Sequence, residues 1–407
     1  MGGGIGSLVS AALSIATGGI GSAVLSFALS MVASAVISKI FAPDTPKFGN
    51  APEQPNPGSR QQLPPAGDNK LPVVYGKAFV GGVITDVSIT SNNQTIYWVI
   101  SLAEVTNSEG FLSGGPDNFT FGDIYWGGKK VLFNNTGYEV GALLDTSASQ
   151  TQSVDGRMHI YLYKNGSLSP VNSTFSAIEV MQNANLVYQW DSSKLMTNCA
   201  FAIVRLTYSN TRGLTGLNQT KFEITNSRSN PADCMLDYLT SNRYGAAIPL
   251  NNIDTSSFNN LRTYSDQIIP YTQYNGDTAY IERFNFDGAV DTSQKIMNNL
   301  QSMADCCNSL LRYNEIFGKW GVIVQRPDTS PVMALNDSDI ISAITISPID
   351  LSNSFNIVEV KFPLGSQQDS FASAVYDLSQ IDPSLLYPNE PVNKQSVNLY
   401  FVNDSVR

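Results

Sequence analysis

From Met1 to Ser38 the chain carries no charged side chain and is built from Gly, Ala, Ser and large apolar groups. A run of this kind does not stay in water, so whatever follows must accommodate it. Gly18, Gly19 and Gly21 interrupt it, because glycine costs ~1 kcal/mol relative to alanine in a helix interior. A cleaner helix is therefore expected from about Ser22 to Phe41. Some 20 helical residues rise roughly 30 Å, which matches a bilayer core and equally many protein interiors. Val24, Leu25, Phe27, Leu29, Met31, Val32, Val36, Ile37, Ile40 and Phe41 each gain about 1.5–3 kcal/mol on leaving water. Their sum is of the order of a whole domain's stability.

Ser22, Ser26, Ser30, Ser34 and Ser38 recur at every fourth position, with Ala23, Ala28, Ala33 and Ala35 between them. Small residues at that spacing let helix backbones approach closely. The stripe is the candidate interaction face of a symmetric helix bundle; an ordinary single membrane anchor is the alternative reading. The first cations, Lys39 and Lys47, follow the apolar run instead of preceding it, which argues against a signal peptide.

Pro43 ends the helix, and the prolines from Pro46 to Pro72 mark an extended strap leading to folded structure. Val73-Val74-Tyr75, Phe79-Val80 and Val83-Ile84 read as strands broken by glycines, and Thr95 to Ala103 as a further apolar strand. Phe119 to Phe133 reads as a hairpin around Gly127-Gly128, and Met158 to Tyr163 and Ala200 to Tyr208 as strands. The texture changes at Asn230-Pro231, a capping side chain ahead of a proline at the first helical position. Helices are expected from there to about Arg243, over Thr255 to Ile269, and over Ser293 to Leu311 with Asp291 or Thr292 as cap. A strand at Ile281 to Phe286 separates the last two. A hairpin around Phe317-Gly318-Lys319-Trp320 follows, then strands at Ile340 to Ile346, Asn356 to Phe362 and Asn398 to Val402. The expected class is α+β, mostly β. Its parts are a hydrophobic helical segment (1–42), a Pro-rich linker (43–70), a β-rich domain (71–229), an α+β module (230–330) and a C-terminal β segment (331–407).

Charged residues make up 14% of the chain, well below the usual quarter, and the net charge is −10. No basic run is present, which argues against a general grip on nucleic acid, since phosphate binding needs clustered Lys and Arg. Cys199, Cys234, Cys306 and Cys307 form no CxxC pattern and read as buried thiols.

The middle of the chain adds a family resemblance. NPADCMLDYLTSNRYGAAIP (230–249), followed by RFNFDGAVDTSQKIMNNLQSMADCCNSLLRYNEIFGKWGVIVQRP (283–327), resembles the phage tail tip attachment, or central baseplate hub, proteins. LPVVYGKAFVGGVIT (71–85) and SFNIVEVKFP (354–363) resemble the flanking parts of that family in the same order. The resemblance covers about residues 71 to 365 and implies tube-forming hub domains. It further implies a homotrimer at the distal end of a tail, whose three copies make a pseudo-hexameric ring against the tail tube or distal tail protein. In that setting the N-terminal helices are expected in the lumen beside the tape measure protein, with possible insertion into the host membrane. Family members commonly continue further than Arg407, so a separate receptor-binding fibre or tip protein is expected. DNA is expected to pass the lumen without specific binding, past acidic side chains that repel phosphate.

Signals for chemistry are sparse. His159 is the single histidine and lies in an apparent strand without a G-x-S-x-G elbow or a cysteine partner. Asp337 with Asp339, and Asp382 with Glu390, are the carboxylate pairs open to glycoside hydrolysis, though acidic pairs are common by chance. Trp98, Trp126, Trp190 and Trp320 are spread through the β segments and read as packing residues. No catalytic, cofactor or metal residues are expected. Two rivals remain at this level: a membrane-anchored surface or adhesion protein, and a tail-associated cell-wall hydrolase.

Overall fold

The computed structural model describes residues 61–66, 69–273, 275–326, 333–340, 355–387 and 390–404. The striped serines Ser22, Ser26, Ser30, Ser34 and Ser38 lie outside the described residues, as does most of the segment 340–346. The chain forms two compact units. One comprises the described residues through Val74, with Ala78–Ser227 and Ala289–Ser293; the other comprises Tyr75–Lys77, Arg228–Gly288 and the described residues from Gln294 onward.

Apart from Tyr75 and Lys77, which fall in the second, the first unit contains strands β1 (Val73–Tyr75), β2 (Lys77–Val80), β3 (Val83–Ile89), β4 (Thr95–Glu104), β5 (Phe119–Trp126) and β6 (Lys129–Phe133). β7 (Val140–Asp145), β8 (Gln150–Ser153), β9 (Met158–Tyr163), helix α1 (Ala177–Gln182), β10 (Cys199–Thr207) and β11 (Thr220–Asn226) complete it. One sheet runs from the later strand Gly288–Val290 through β1, β4 and β10 to β9, with β3 also on β4. The second runs β2-β11-β5-β6-β7-β8.

β4 and β10 explain why apolar runs occur where alternation is normal for a half-exposed strand. Ile96, Trp98, Ile100 and Leu102 of β4, with Ala200, Ala202, Val204 and Leu206 of β10, face the core shared by the two sheets. Tyr97 and Val99, with Phe201 and Ile203, face a second core on the opposite side. Ala177 and Met181 of α1, together with Leu186 and Trp190, cover that side. α1 is six residues long, held by a capping box in which Ser176 and Glu179 exchange hydrogen bonds. The expected hairpin at Gly127-Gly128 is present: Trp126 pairs with Lys129 and Tyr125 with Lys130. Both turn glycines have positive φ, as a two-residue hairpin turn requires.

The second unit opens with α2 (Pro231–Thr240), whose Asn230 side chain accepts from the Ala232 N–H as expected of the cap. α3 (Thr255–Ser265) follows, then the hairpin of β12 (Ile268–Thr272) and β13 (Thr278–Glu282). After the strand Gly288–Val290, here β14, come α4 (Ile296–Cys306) and the hairpin of β15 (Ser309–Asn314) and β16 (Lys319–Val324). A three-stranded sheet, β18-β17-β19, is built from β17 (Ile357–Leu364), β18 (Ser370–Asp377) and β19 (Lys394–Asn398), with the short helix α5 (Leu378–Ile381) between the last two. α2 is buried over nearly its whole length and packs on α3 and α4, while β15 and β16 pack on α4 and α3.

Several element ends differ from the sequence reading. Ile268 and Ile269 belong to β12, because Asp266 closes α3 and the chain turns into a hairpin. α4 starts after Lys295, and Asp291 accepts instead from the Ser293 N–H in a turn that precedes it. The strand expected at 398–402 lies earlier, at β19, where it pairs in parallel with β17.

Candidate functional site

Tyr75–Lys77 of the first resembling segment and residues 230–249 and 283–288 lie in the second unit. Asp237 on α2 is 2% exposed, and its Oδ2 accepts hydrogen bonds from Tyr75 Oη at 2.7 Å and Tyr244 Oη at 2.8 Å. A buried carboxylate is tolerated only where donors replace its hydration. In turn the burial, and next the Asp237 charge, hold the Tyr75 hydroxyl well above its ordinary pKa. Asn299 of α4 donates to the neighbouring Tyr238 hydroxyl at 2.8 Å.

The Arg243-Tyr244-Gly245 segment folds back on the end of α2. A Cβ on Gly245 would lie 1.9 Å from the Tyr238 carbonyl oxygen. That close approach brings the Ala246 and Ile248 N–H groups to the Tyr238 and Leu239 carbonyls, each at 2.9 Å. These carbonyls have no partner within a terminating helix, so the motif glycine serves the helix end.

Gly76, at φ +58°, permits a comparably close backbone approach in the first motif. Its N–H donates to the Arg228 carbonyl at 2.8 Å, and a Cβ there would meet the Phe286 carbonyl oxygen at 1.8 Å. The next N–H, of Lys77, reaches Asp287 Oδ1 at 2.8 Å. Thus Tyr75-Gly76-Lys77 is anchored to the Phe286-Asp287-Gly288 segment and to α2. Asn356 does comparable work for the sheet: its Oδ1 accepts from the Asn393 N–H at 2.9 Å and its Nδ2 donates to the Pro391 carbonyl at 3.0 Å. The signature residues are hydrogen-bonded parts of the fold.

His159 sits on β9, with Nε2 3.1 Å from the Gly156 carbonyl and 3.0 Å from Arg205 Nη1, and Nδ1 3.1 Å from Tyr161 Oη. Burial first, and the Arg205 charge second, lower its pKa to about 4. Cys199, Cys234, Cys306 and Cys307 are free and buried, and burial pushes Cys306 and Cys307 up to about 12, away from reactive thiolates. Asp382 Oδ1 accepts from the Ser384 N–H, and Glu390 Oε2 from the Tyr387 N–H, so both acids serve local turns. Trp98, Trp126 and Trp190 are buried. Among the described residues no group of three or more His, Cys, Asp or Glu is placed to hold a metal, and no helix is long and apolar enough to cross a membrane.

What the second unit does offer is exposed apolar side chains on its strands and hairpins. At the β15–β16 turn Ile316 is 88% and Phe317 72% exposed, held there by N–H donation to Asn314 Oδ1 and by Gly318 at φ +63°. Ile268 and Tyr280 are exposed on the β12–β13 hairpin, and Phe371, Val375 and Tyr376 on β18. Isolated two-stranded hairpins have little stability of their own in water. Sequence reasoning missed these surfaces, because the same apolar letters in β4 and β10 mark buried core.

The chain is mostly β, its signature residues hold the fold, and several apolar side chains of the second unit stand exposed. No family model matches the chain. It is 25% identical to the baseplate hub protein pb3 of Escherichia phage T5 over 342 residues, covering 71% of this chain and 35% of that protein. The chain thus spans about a third of that relative's length. A chain in the virion of a native gene transfer agent (GTA) particle has a TM-score of 0.43 and 10% identity, covering 93% of this chain and 80% of its own. The sequence match bears out the resemblance to phage tail hub proteins.

Proposed function

We propose that the chain is a structural hub of a phage tail: a virion component, without catalytic activity, that assembles as a homotrimer at the distal end of the tail. It joins the tail tube to the tip and helps gate DNA ejection. The observation that carries this reading is the 25% identity to a baseplate hub protein over 71% of the chain. The outward apolar strands of the second unit support assembly with further copies and with other tail components. In this reading the serine-striped helix at Ser22 to Ser38 lies with its copies on the axis, near the tape measure protein, and enters the host membrane on ejection.

Native mass measurement on a preparation made without detergent tests the assembly. A trimer is expected. A protein soluble only in detergent would instead favour a membrane-anchored surface protein, and release of fragments from peptidoglycan, abolished by substituting Asp382 or Glu390, would favour a hydrolase. A density map of the assembled particle with the N-terminus labelled locates the striped helix, and a label on the outer surface would remove the axial bundle.

A further inference from the structure

We propose that the β18-β17-β19 sheet is a head-to-tail connector, in which the free edge of β18 in one copy pairs with the free edge of β19 in the next. This rests on the hub reading above and names the surface through which its copies join. β17 uses both of its edges, with β18 antiparallel on one side and β19 parallel on the other. Among the described residues no strand pairs with the outer edge of β18 or of β19. β18 is eight residues long, contains no proline, and carries its single charge at its last position, Asp377. Val375 and Tyr376 are 58% and 56% exposed. Natural proteins blunt such an edge with lysine, proline or a bulge, because a bare one templates further pairing. The edge left bare among the described residues is, in this proposal, covered by a second copy.

The register favours a second copy on that edge. Ile357 pairs with Asp377 on one side and with Lys394 on the other, so these two opposite charges stand level on the two outer edges. Cross-strand partners share a face, so Asp377 and Lys394 lie on the same face as Glu359 and Lys361. The other face carries Val358, Val360, Ala374, Tyr376 and Val397 and no charge. β18 and β19 run in opposite directions, so identically oriented copies bring them together as an antiparallel pair. With the levels kept, Asp377 faces Lys394 of the next copy and Ala374 faces Val397 of the next copy. Lys394 Nζ already lies 3.0 Å from Glu359 Oε2 and would then bridge carboxylates of two copies. A two-fold pairing of β18 with itself leaves β19 open. The head-to-tail arrangement covers both edges, and such contacts close into rings when the rotation permits.

The test is the full-length double variant Ala374→Cys with Val397→Cys, oxidised and run on a denaturing gel. The four native cysteines are buried and so stay silent. The expected result is a ladder of linked copies ending at the trimer, absent from either single variant. A trimer by native mass with no linkage, in this pair or in Ala374→Cys combined with Gln395→Cys or Leu399→Cys, overturns the edge pairing and leaves the hub reading standing. Linkage of Ala374→Cys alone would show two-fold pairing and overturn the connector. A chain that is monomeric throughout removes the hub reading and the connector together. Hydrogen exchange on the unaltered protein covers the case of a variant that does not fold. At least tenfold slower exchange in β18 and β19 of the trimer than in diluted chains supports the pairing, and equal exchange contradicts it.

Discussion

Asp237 keeps a carboxylate where water does not reach, with the hydroxyls of Tyr75 and Tyr244 donating to it. Tyr244→Phe is expected to lower stability by about 1.5–3 kcal/mol, the range for a hydrogen bond to a charged group. Asp237→Ala leaves two buried hydroxyls without their acceptor and is expected to cost at least as much; denaturant titration checks both, and an unchanged midpoint in both would contradict this account of the motif. Gly245→Ala places a Cβ against a backbone oxygen, with no flexible side chain to give way, so its effect should exceed that of Tyr244→Phe. His159 supplies a pH dependence. Its pKa of about 4 lies below the unfolded value near 6.5, so between those limits the unfolded chain binds more protons and folding weakens as pH falls. The group is half-buried, so solvent screening reduces the effect. Melting curves at pH 7 and pH 4.5 should show a smaller acid-induced loss for His159→Gln than for the parent, and parallel losses would refute it.

At the level of elements, the starts of α2 and α3 were legible in the sequence, whereas α1 was not read as a helix and α4 begins later than expected. Asn230-Pro231 announced α2 because an Asx side chain and a preset φ act locally. Asn230→Ala is expected to lower stability by about 1 kcal/mol, read from thermal unfolding. Gly127-Gly128 announced its hairpin for the same kind of reason. The end of α3 and the start of β12 were not legible, because Ile268 and Ile269 continue an apolar period and only the pairing with β13 recruits them to a strand. The β15–β16 tip shows how little hydrophobicity alone says about burial. Ile316→Ser with Phe317→Ser should leave the melting temperature nearly unchanged, since both side chains already stand in water, while weakening assembly in a native mass measurement. A large fall in melting temperature would mean the tip is part of a core.

For the whole molecule, the two units are interleaved along the chain. Tyr75–Lys77 belong to the unit that otherwise begins at Arg228, and Ala289–Ser293 to the unit that otherwise ends at Ser227. A fragment of residues 228–407 therefore lacks the Tyr75 hydroxyl and the Lys77 N–H that reach Asp237 and Asp287. Such a fragment should melt well below the corresponding transition of the full chain and recover part of the loss on addition of a peptide covering residues 70–82. Equal stability with and without the peptide would make those contacts incidental. The sequence by itself determined the class of fold, most strands of the first unit but not β7, β8 or β11, the Asn230 cap, the Gly127-Gly128 turn and the tail hub resemblance, since each depends on neighbours a few residues apart or on an ordered string of motifs. Only the tertiary structure decided which apolar strands are covered and which are bare, what the motif residues hold, and how one unit borrows three residues from far upstream. Burial and long-range hydrogen bonds are properties of what the folded chain brings together, and residues 75 and 237 are neighbours only there.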